Sequence, residues 1–101
     1  MMKAADLEAA LEWDRLSPDQ RTRWGRSKVA ARIIDMSEAQ GLTGQARDNF
    51  AMREWMSAYC LVDERAKQDE KARALSQSLW VHFIAVATRG FSVVEEFARE
   101  H

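Results

Sequence analysis

The sequence predicts an all-α protein, a compact bundle of four to five helices in a single domain that covers residues 1–101. Residues 45–89 contain neither glycine nor proline, whereas the four glycines and the one proline lie where a helix would begin, end or bend. A chain of 101 residues is also long enough to close one hydrophobic core and too short for two. No catalytic, metal-binding or nucleotide-binding motif stands out, so function has to be inferred from the surfaces that the helices offer.

The composition is that of a soluble, globular protein. Hydrophobic residues make up 47% and charged residues 31%, and the net charge of −1 means that any field acting on a partner must come from local clustering. The single cysteine, Cys60, excludes an internal disulfide and fits a reducing compartment. Acidic residues interrupt the N-terminus before an apolar signal could form, and the longest apolar run, residues 79–87, is shorter than the roughly 20 residues that span a bilayer. We therefore expect a cytoplasmic protein with no membrane contact.

The first predicted helix covers residues 3–16 and is amphipathic. Ala4, Leu7 and Leu11 recur at spacings of three and four, which places them on one stripe. The motif Ser-Pro-Asp-Gln at residues 17–20 then combines an N-cap, a proline at the first helical position and the glutamine of a capping box. This motif ends the first helix and begins the second, so we expect the two to form an αα-hairpin.

The second predicted helix begins at Pro18 and ends near Gln40, with Gly41 as its left-handed stop. Gly25 is a candidate bend within it. One side of the helix gathers the apolar residues Val29, Ala30, Ile33 and Met36. We expect this side to face the core.

The third predicted helix follows a cap at Thr43 and carries apolar residues on more than one side, which is typical of a central helix. Its main stripe consists of Ala51, Met52, Trp55, Ala58, Tyr59 and Val62, with Phe50 and Leu61 on another side. The charges at residues 63–73 alternate in sign, as on a solvated helix surface. Asp63 is a candidate N-cap for a new helix; one very long helix is the alternative. We favour a turn, because a single domain must fold back to bury both halves.

The fourth predicted helix covers residues 64–88 and is apolar nearly all round in its C-terminal half. Its heptad-like seam consists of Ala72, Leu75, Leu79, His82 and Val86, and Trp80, Val81, Phe83 and Ile84 surround that seam. Such a segment needs more than one neighbour, so we predict a homodimer interface formed by Leu79, Trp80, His82, Phe83 and Ile84.

A short fifth helix is predicted to follow the fourth. Gly90 ends the fourth helix. A second capping box, at residues 92–95, then opens a helix that reaches about Glu100. Phe91 and Phe97 would attach it to the body.

Few residues could bind a metal ion or act in catalysis. The histidines and cysteines that could bind a metal are Cys60, His82 and His101. These are too few for a typical site, so we expect no metal or cofactor. His82 fits a histidine that hydrogen-bonds one partner in the core or at an interface; the alternative is a pH-sensitive contact at an oligomer seam. Cys60 fits a buried small hydrophobe. We therefore predict that the chain is not an enzyme.

One stretch, residues 20–34, is strongly basic and contains Arg21, Arg23, Arg26, Lys28 and Arg32 but only neutral residues otherwise. Arg21, Trp24, Lys28 and Arg32 share a helical face and are the candidate partner-binding residues. They could hold phosphates and stack on a base, or contact an acidic protein surface. They could also pair with the acidic side chains of the first helix, Asp6, Glu8, Glu12 and Asp14, with Trp24 packed beside Trp13.

A helix-turn-helix is a weaker possibility. The turn at residues 41–44 has a suitable length, and Gln45, Arg47 and Asn49 of the next helix could read bases, but only one of them is basic.

The sequence thus favours a non-enzymatic helical module that binds another protein, as an adaptor or an inhibitor that occludes the partner's surface, and forms a homodimer. The partner could be acidic or part of a nucleoprotein complex; an inhibitor encoded by a phage or mobile element is one example of this class. The alternative function is a nucleic-acid-binding transcriptional regulator that uses the basic face or the helix after it.

Overall fold

A computed structural model describes residues 2–5 and 17–100, and these residues form helices without any strand. The helices are α1 (Pro18–Ala39), α2 (Gly44–Ala66), α3 (Arg73–Arg89) and α4 (Phe91–Ala98), with a 3₁₀ turn at Glu70–Ala72 between α2 and α3. Each of these four helices packs against the other three around a shared hydrophobic core. The predicted all-α class is confirmed. The predicted helix at residues 3–16, and its hairpin with α1, lie largely outside the described residues.

Local signals fix both ends of α1 as predicted. Ser17 Oγ accepts a hydrogen bond from the Gln20 amide at 3.3 Å, and the Ser17 amide donates to Gln20 Oε1 at 3.0 Å, which completes the capping box. Gly41 follows the C-cap with a φ of 65°, a conformation that favours glycine. Gly25 lies inside the helix without ending it. The predicted core side of α1 is buried: Val29, Ala30, Ile33 and Met36.

Trp55 of α2 lies at the centre of the core and is fully buried. Its indole Nε1 donates a hydrogen bond to the Leu79 carbonyl of α3 at 2.8 Å, and its ring stacks on Phe97 of α4 with centroids 5.4 Å apart. One side chain therefore joins three helices. Glu54, also buried, accepts a hydrogen bond from the Met2 amide at 2.6 Å and so holds the described N-terminal residues against α2.

The predicted helix boundary at Asp63 is wrong, although the chain does fold back as expected. Asp63 lies inside α2, and its carboxylate accepts a hydrogen bond from Ser76 Oγ at 3.3 Å instead of capping backbone amides. Asp69 caps the 3₁₀ turn at Glu70–Ala72, with Oδ1 accepting from the Lys71 amide at 3.0 Å. After this turn α3 begins at Arg73 without a side-chain cap, and the whole of residues 74–88 belongs to it.

Gly90 ends α3 as predicted, with a φ of 74°. The predicted capping box at Ser92 is wrong, because α4 already begins at Phe91 and the Ser92 hydroxyl donates to the Arg89 carbonyl. The cap comes instead from α2, where Asp48 Oδ1 accepts from the Phe91 amide at 2.9 Å. Phe91 and Phe97 are both buried, as expected.

Candidate protein-interaction surface

The outward side of α3 carries large apolar side chains in contact with solvent. Trp80, Val81 and Ile84 are exposed by 56%, 69% and 73%, and we call these three residues the outer strip. The strip exists because Leu79 and Val86, on the opposite side of the same helix, already fill the core. Soluble helices usually present charged or polar residues on their outer side, so the outer strip departs from the common pattern.

Aromatic contacts hold Trp80 in place. Its ring lies 5.2 Å from that of Tyr59 on α2 and 6.5 Å from that of Phe83, centroid to centroid, with an angle of only 7° between the planes of Trp80 and Phe83. Phe83 and Tyr59 are themselves half-buried against the core. Because Trp80 is braced on two sides, a partner that contacts it would lose little conformational freedom in ordering it.

A groove of about 430 Å³ adjoins Trp80, between the C-terminal half of α2 and the N-terminal half of α3. Its walls are formed by Tyr59, Asp63, Ala66, Lys67, Arg73, Ser76, Gln77, Trp80 and Val81. The end formed by Tyr59, Trp80 and Val81 is apolar. The groove can therefore accept an apolar side chain at that end.

The other end of the groove is charged. Asp63 is held by Ser76, and Lys67 Nζ donates to Glu64 Oε2 at 3.2 Å. That hydrogen bond, and then the negative charges of Glu64 and Asp63, raise the pKa of Lys67 above its ordinary value, so the ammonium group stays protonated at neutral pH. Lys67 and Arg73 each form an ion pair with a glutamate, Glu64 and Glu70, so this end carries charges of both signs.

The structure divides the residues predicted to form the dimer interface. Leu79 is completely buried and takes no part in the surface. His82 is half-buried, with Nδ1 2.7 Å from the Ser78 carbonyl and its ring edge-on to Phe97. Trp80 and Ile84 lie on the outer strip, together with Val81, which the predicted set lacked. Both sides of α3 are apolar at a spacing of three and four, so periodicity alone did not show which side faces outward.

The predicted basic face of α1 is only partly open to solvent. Trp24 is half-buried against the core cluster, and Lys28 Nζ lies 5.1 Å from its ring centroid, in a cation–π contact. Arg21 is half-buried and Arg32 is exposed. The pairing of this face with the acidic residues 6–14, and the contact between Trp24 and Trp13, lie outside the described residues.

Arg26 belongs to the basic stretch but points into the bundle. Its Nη1 donates to Ser78 Oγ at 2.9 Å and its Nη2 to Glu100 Oε2 at 2.5 Å, while the guanidinium lies 4.9 Å from the Phe97 ring centroid. Arg26 therefore joins α1 to α3 and to the C-terminal end of the described chain.

The residues predicted to read DNA bases contact their own chain. Arg47 stacks its guanidinium on the Phe91 ring, 4.4 Å from the centroid. The Gln45 amide donates to Asn49 Oδ1 at 2.9 Å. These contacts engage the guanidinium and amide groups that a recognition helix would direct toward a groove of DNA.

Cys60 was predicted to be buried, and this is wrong. It is exposed, on the side of α2 opposite the buried residues Ala58 and Val62.

Over residues 2–5 and 17–100, histidine, cysteine and acidic side chains form no group of three or more that could hold a metal ion. No helix within that same part of the chain is both long and apolar enough to cross a membrane. Comparison with protein-family models, curated proteins and solved structures finds no match to this chain.

Proposed function

We propose that this chain is a non-enzymatic protein-interaction module, an adaptor or an inhibitor that covers part of a partner protein's surface, and that it acts as a homodimer. The observation that supports this proposal is the outer strip of α3. Contiguous apolar side chains on a soluble helix commonly mark a protein contact. Tryptophan is among the residues that contribute most to such contacts, and Trp80 is already braced by Tyr59.

The chemistry of the partner follows from the residues around the strip. The apolar groove wall formed by Tyr59 and Trp80 fits an inserted aliphatic or aromatic side chain. The far end of the groove carries the ion pairs of Lys67 and Arg73 with Glu64 and Glu70, which suit polar residues next to that side chain. A partner with an apolar anchor flanked by polar groups is therefore the expected class.

Intramolecular contacts make protein binding the better proposal than nucleic-acid binding. Lys28 covers Trp24, and Arg47 stacks on Phe91, so neither aromatic–cation pair offers a free ring face together with a free cation. A nucleic-acid site would need both, for stacking on a base and for contact with phosphate.

The proposal is tested by affinity capture from nuclease-treated lysate with three proteins: the unmodified chain, Ile84→Asp and Ala46→Asp. Ile84 is 73% exposed, so a carboxylate there should leave the helix folded but repel an apolar partner surface. Ala46 is exposed on α2 and provides a matched charge change away from the strip.

We expect a discrete protein that is captured by the unmodified chain and by Ala46→Asp and is lost with Ile84→Asp. Equal capture by all three proteins would remove the outer strip as the contact surface. Capture of nucleic acid alone from a parallel lysate without nuclease would replace protein binding with nucleic-acid binding as the function.

A further inference from the structure

The exposed side of α3 carries a second heptad-like seam besides the one that faces the core. Its members are Ala74, Gln77, Val81, Ile84 and Thr88, all exposed and spaced three, four, three and four residues apart. We call these five residues the outer seam. Helices that pair along their length need this spacing, because it keeps one face turned toward the other helix.

The outer seam is also free of charge. No aspartate, glutamate, lysine or arginine occurs at residues 74–88, although charged residues make up 31% of the chain. Fifteen helical residues span about 22 Å, so the uncharged face runs for four turns. A face of this length, left to solvent alone, is unusual for a soluble helix.

The seam is self-complementary about its centre. With a twofold axis at Val81, Val81 faces its own copy, Ala74 faces Thr88 of the second copy and Gln77 faces Ile84 of the second copy. The ends also match in charge, because Arg73 pairs with Glu70 at 3.1 Å and Arg89 pairs with Glu96 at 2.8 Å. Each end is thus a neutral ion pair, and no like charges meet when the two ends approach one another.

The groove selects the antiparallel orientation. It lies beside the N-terminal half of α3, where Gln77, Trp80 and Val81 contribute to its wall. In an antiparallel pair the bulky Ile84 of the second copy lies over this half and can enter the apolar end of the groove. In a parallel pair the apolar end would face Val81 of the second copy, whose side chain is shorter than that of isoleucine and fills less of the groove. Opposed helix dipoles also favour the antiparallel arrangement.

We infer that a second copy of this chain occupies the outer seam, in an antiparallel α3–α3 pair centred on Val81. This inference rests on the proposed function in that it names the homodimer's contact surface. Because that surface includes Val81 and Ile84, a second copy and another partner protein compete for this part of the outer strip. Stable interfaces bury about 800 Å² and involve roughly 20–30 residues on each partner, whereas the outer seam has five residues. We therefore expect the dimer to form in a concentration-dependent manner.

Disulfide trapping tests the pairing and its direction. The exposed Cys60 is first replaced by serine so that it cannot cross-link. In this background Val81→Cys should form a covalent dimer under mild oxidation. The two Cα atoms of residue 81 face each other across the helix pair, at the 4–7 Å or so that a disulfide bridges. Ala74→Cys alone should not, because in an antiparallel pair the two copies of residue 74 are about 21 Å apart.

A mixture of Ala74→Cys and Thr88→Cys should give a covalent heterodimer that neither variant gives alone. The matched control for random collision is Ala46→Cys, exposed on α2. Efficient dimers from Ala74→Cys alone would show parallel pairing and overturn the inference. A yield of covalent dimer from Val81→Cys no higher than that from Ala46→Cys would also overturn it.

Sedimentation velocity over a concentration series provides an independent measurement. The unmodified chain and Ala46→Asp should approach twice the mass of one chain as concentration rises, whereas Ile84→Asp should stay monomeric and helical by circular dichroism. A monomer at every concentration for all three overturns the pairing. Failure of the pairing and failure of the proposed function are distinguishable, because the lysate capture that depends on Ile84 is measured separately from self-association of the purified chain.

Discussion

Asp48 and Gly90 are in such close contact that a side chain at residue 90 has no room. A Cβ on Gly90 would overlap with Asp48 Oδ1. The same oxygen accepts the hydrogen bond of the next amide, that of Phe91, at 2.9 Å. A carboxylate of α2 therefore caps α4, and the missing side chain of Gly90 lets it approach. The α3–α4 corner thus depends on a residue more than forty positions away in the sequence.

Gly90→Ala should lower the free energy of unfolding by more than 1–3 kcal/mol or so, the cost of a strained backbone conformation alone. The φ of 74° and ψ of −148° belong to a region that is almost confined to glycine, and the contact with Asp48 adds to the strain. Urea denaturation measures the loss. Gly41→Ala is the matched control, because Gly41 has a φ of 65° but nothing within 4 Å of the added Cβ. A loss at Gly90 no larger than that at Gly41 would show that the Asp48 contact does not matter.

Asp48→Ala should cost about 0.5–2 kcal/mol, the usual range for removal of a helix N-cap, because it leaves the Phe91 amide without its acceptor. Asp48→Asn retains a side-chain oxygen at the same place and should recover most of the loss. Thermal denaturation of both variants, with Asp35→Ala on the exposed side of α1 as control, measures the difference. Equal losses for Asn and Ala would mean that the negative charge, and not the hydrogen bond, stabilises α4.

The fold was predictable wherever the determining signal is local. The capping box of Ser17 and Gln20, and the stops at Gly41 and Gly90, depend on residues a few positions apart, and all three lie where the sequence predicts. Asp63 failed as a boundary because its carboxylate bonds to Ser76, thirteen residues on, which no local pattern shows.

The candidate site was only half predictable. Apolar residues on nearly all sides of the C-terminal half of the fourth predicted helix indicate more than one neighbour, and this pattern predicts Trp80 and Ile84 at an interface. Leu79 was assigned to the same surface, because the two seams of α3 have the same spacing and only the packed neighbours decide between them. The groove beside Tyr59 brings two helices together, so it could be seen only in the folded chain.

Trp55→Phe should lower the free energy of unfolding by about 1–3 kcal/mol, through loss of the hydrogen bond to the Leu79 carbonyl and of buried volume. The phenyl ring would retain part of the stacking on Phe97. Trp80→Phe is the matched control, because the same atoms are removed from a side chain that is 56% exposed, and it should change stability by no more than about 0.5 kcal/mol. Urea denaturation followed by circular dichroism compares the two. Equal losses would contradict the assignment of Trp55 as the residue that joins three helices.

Arg26→Ala should lower stability by about 1–2 kcal/mol, because it removes charge-assisted hydrogen bonds to Ser78 and Glu100 from a side chain that is largely shielded from solvent. Arg23→Ala, which removes an exposed arginine from the same basic stretch, should stay within about 0.5 kcal/mol of the unmodified chain. Thermal denaturation of both variants in low and high salt checks this contrast. Because the Arg26 contacts are largely shielded, the difference between the variants should persist in high salt. If the two arginines proved equivalent, the basic stretch would act as a uniform charged surface, and Arg26 would not hold α1 to α3.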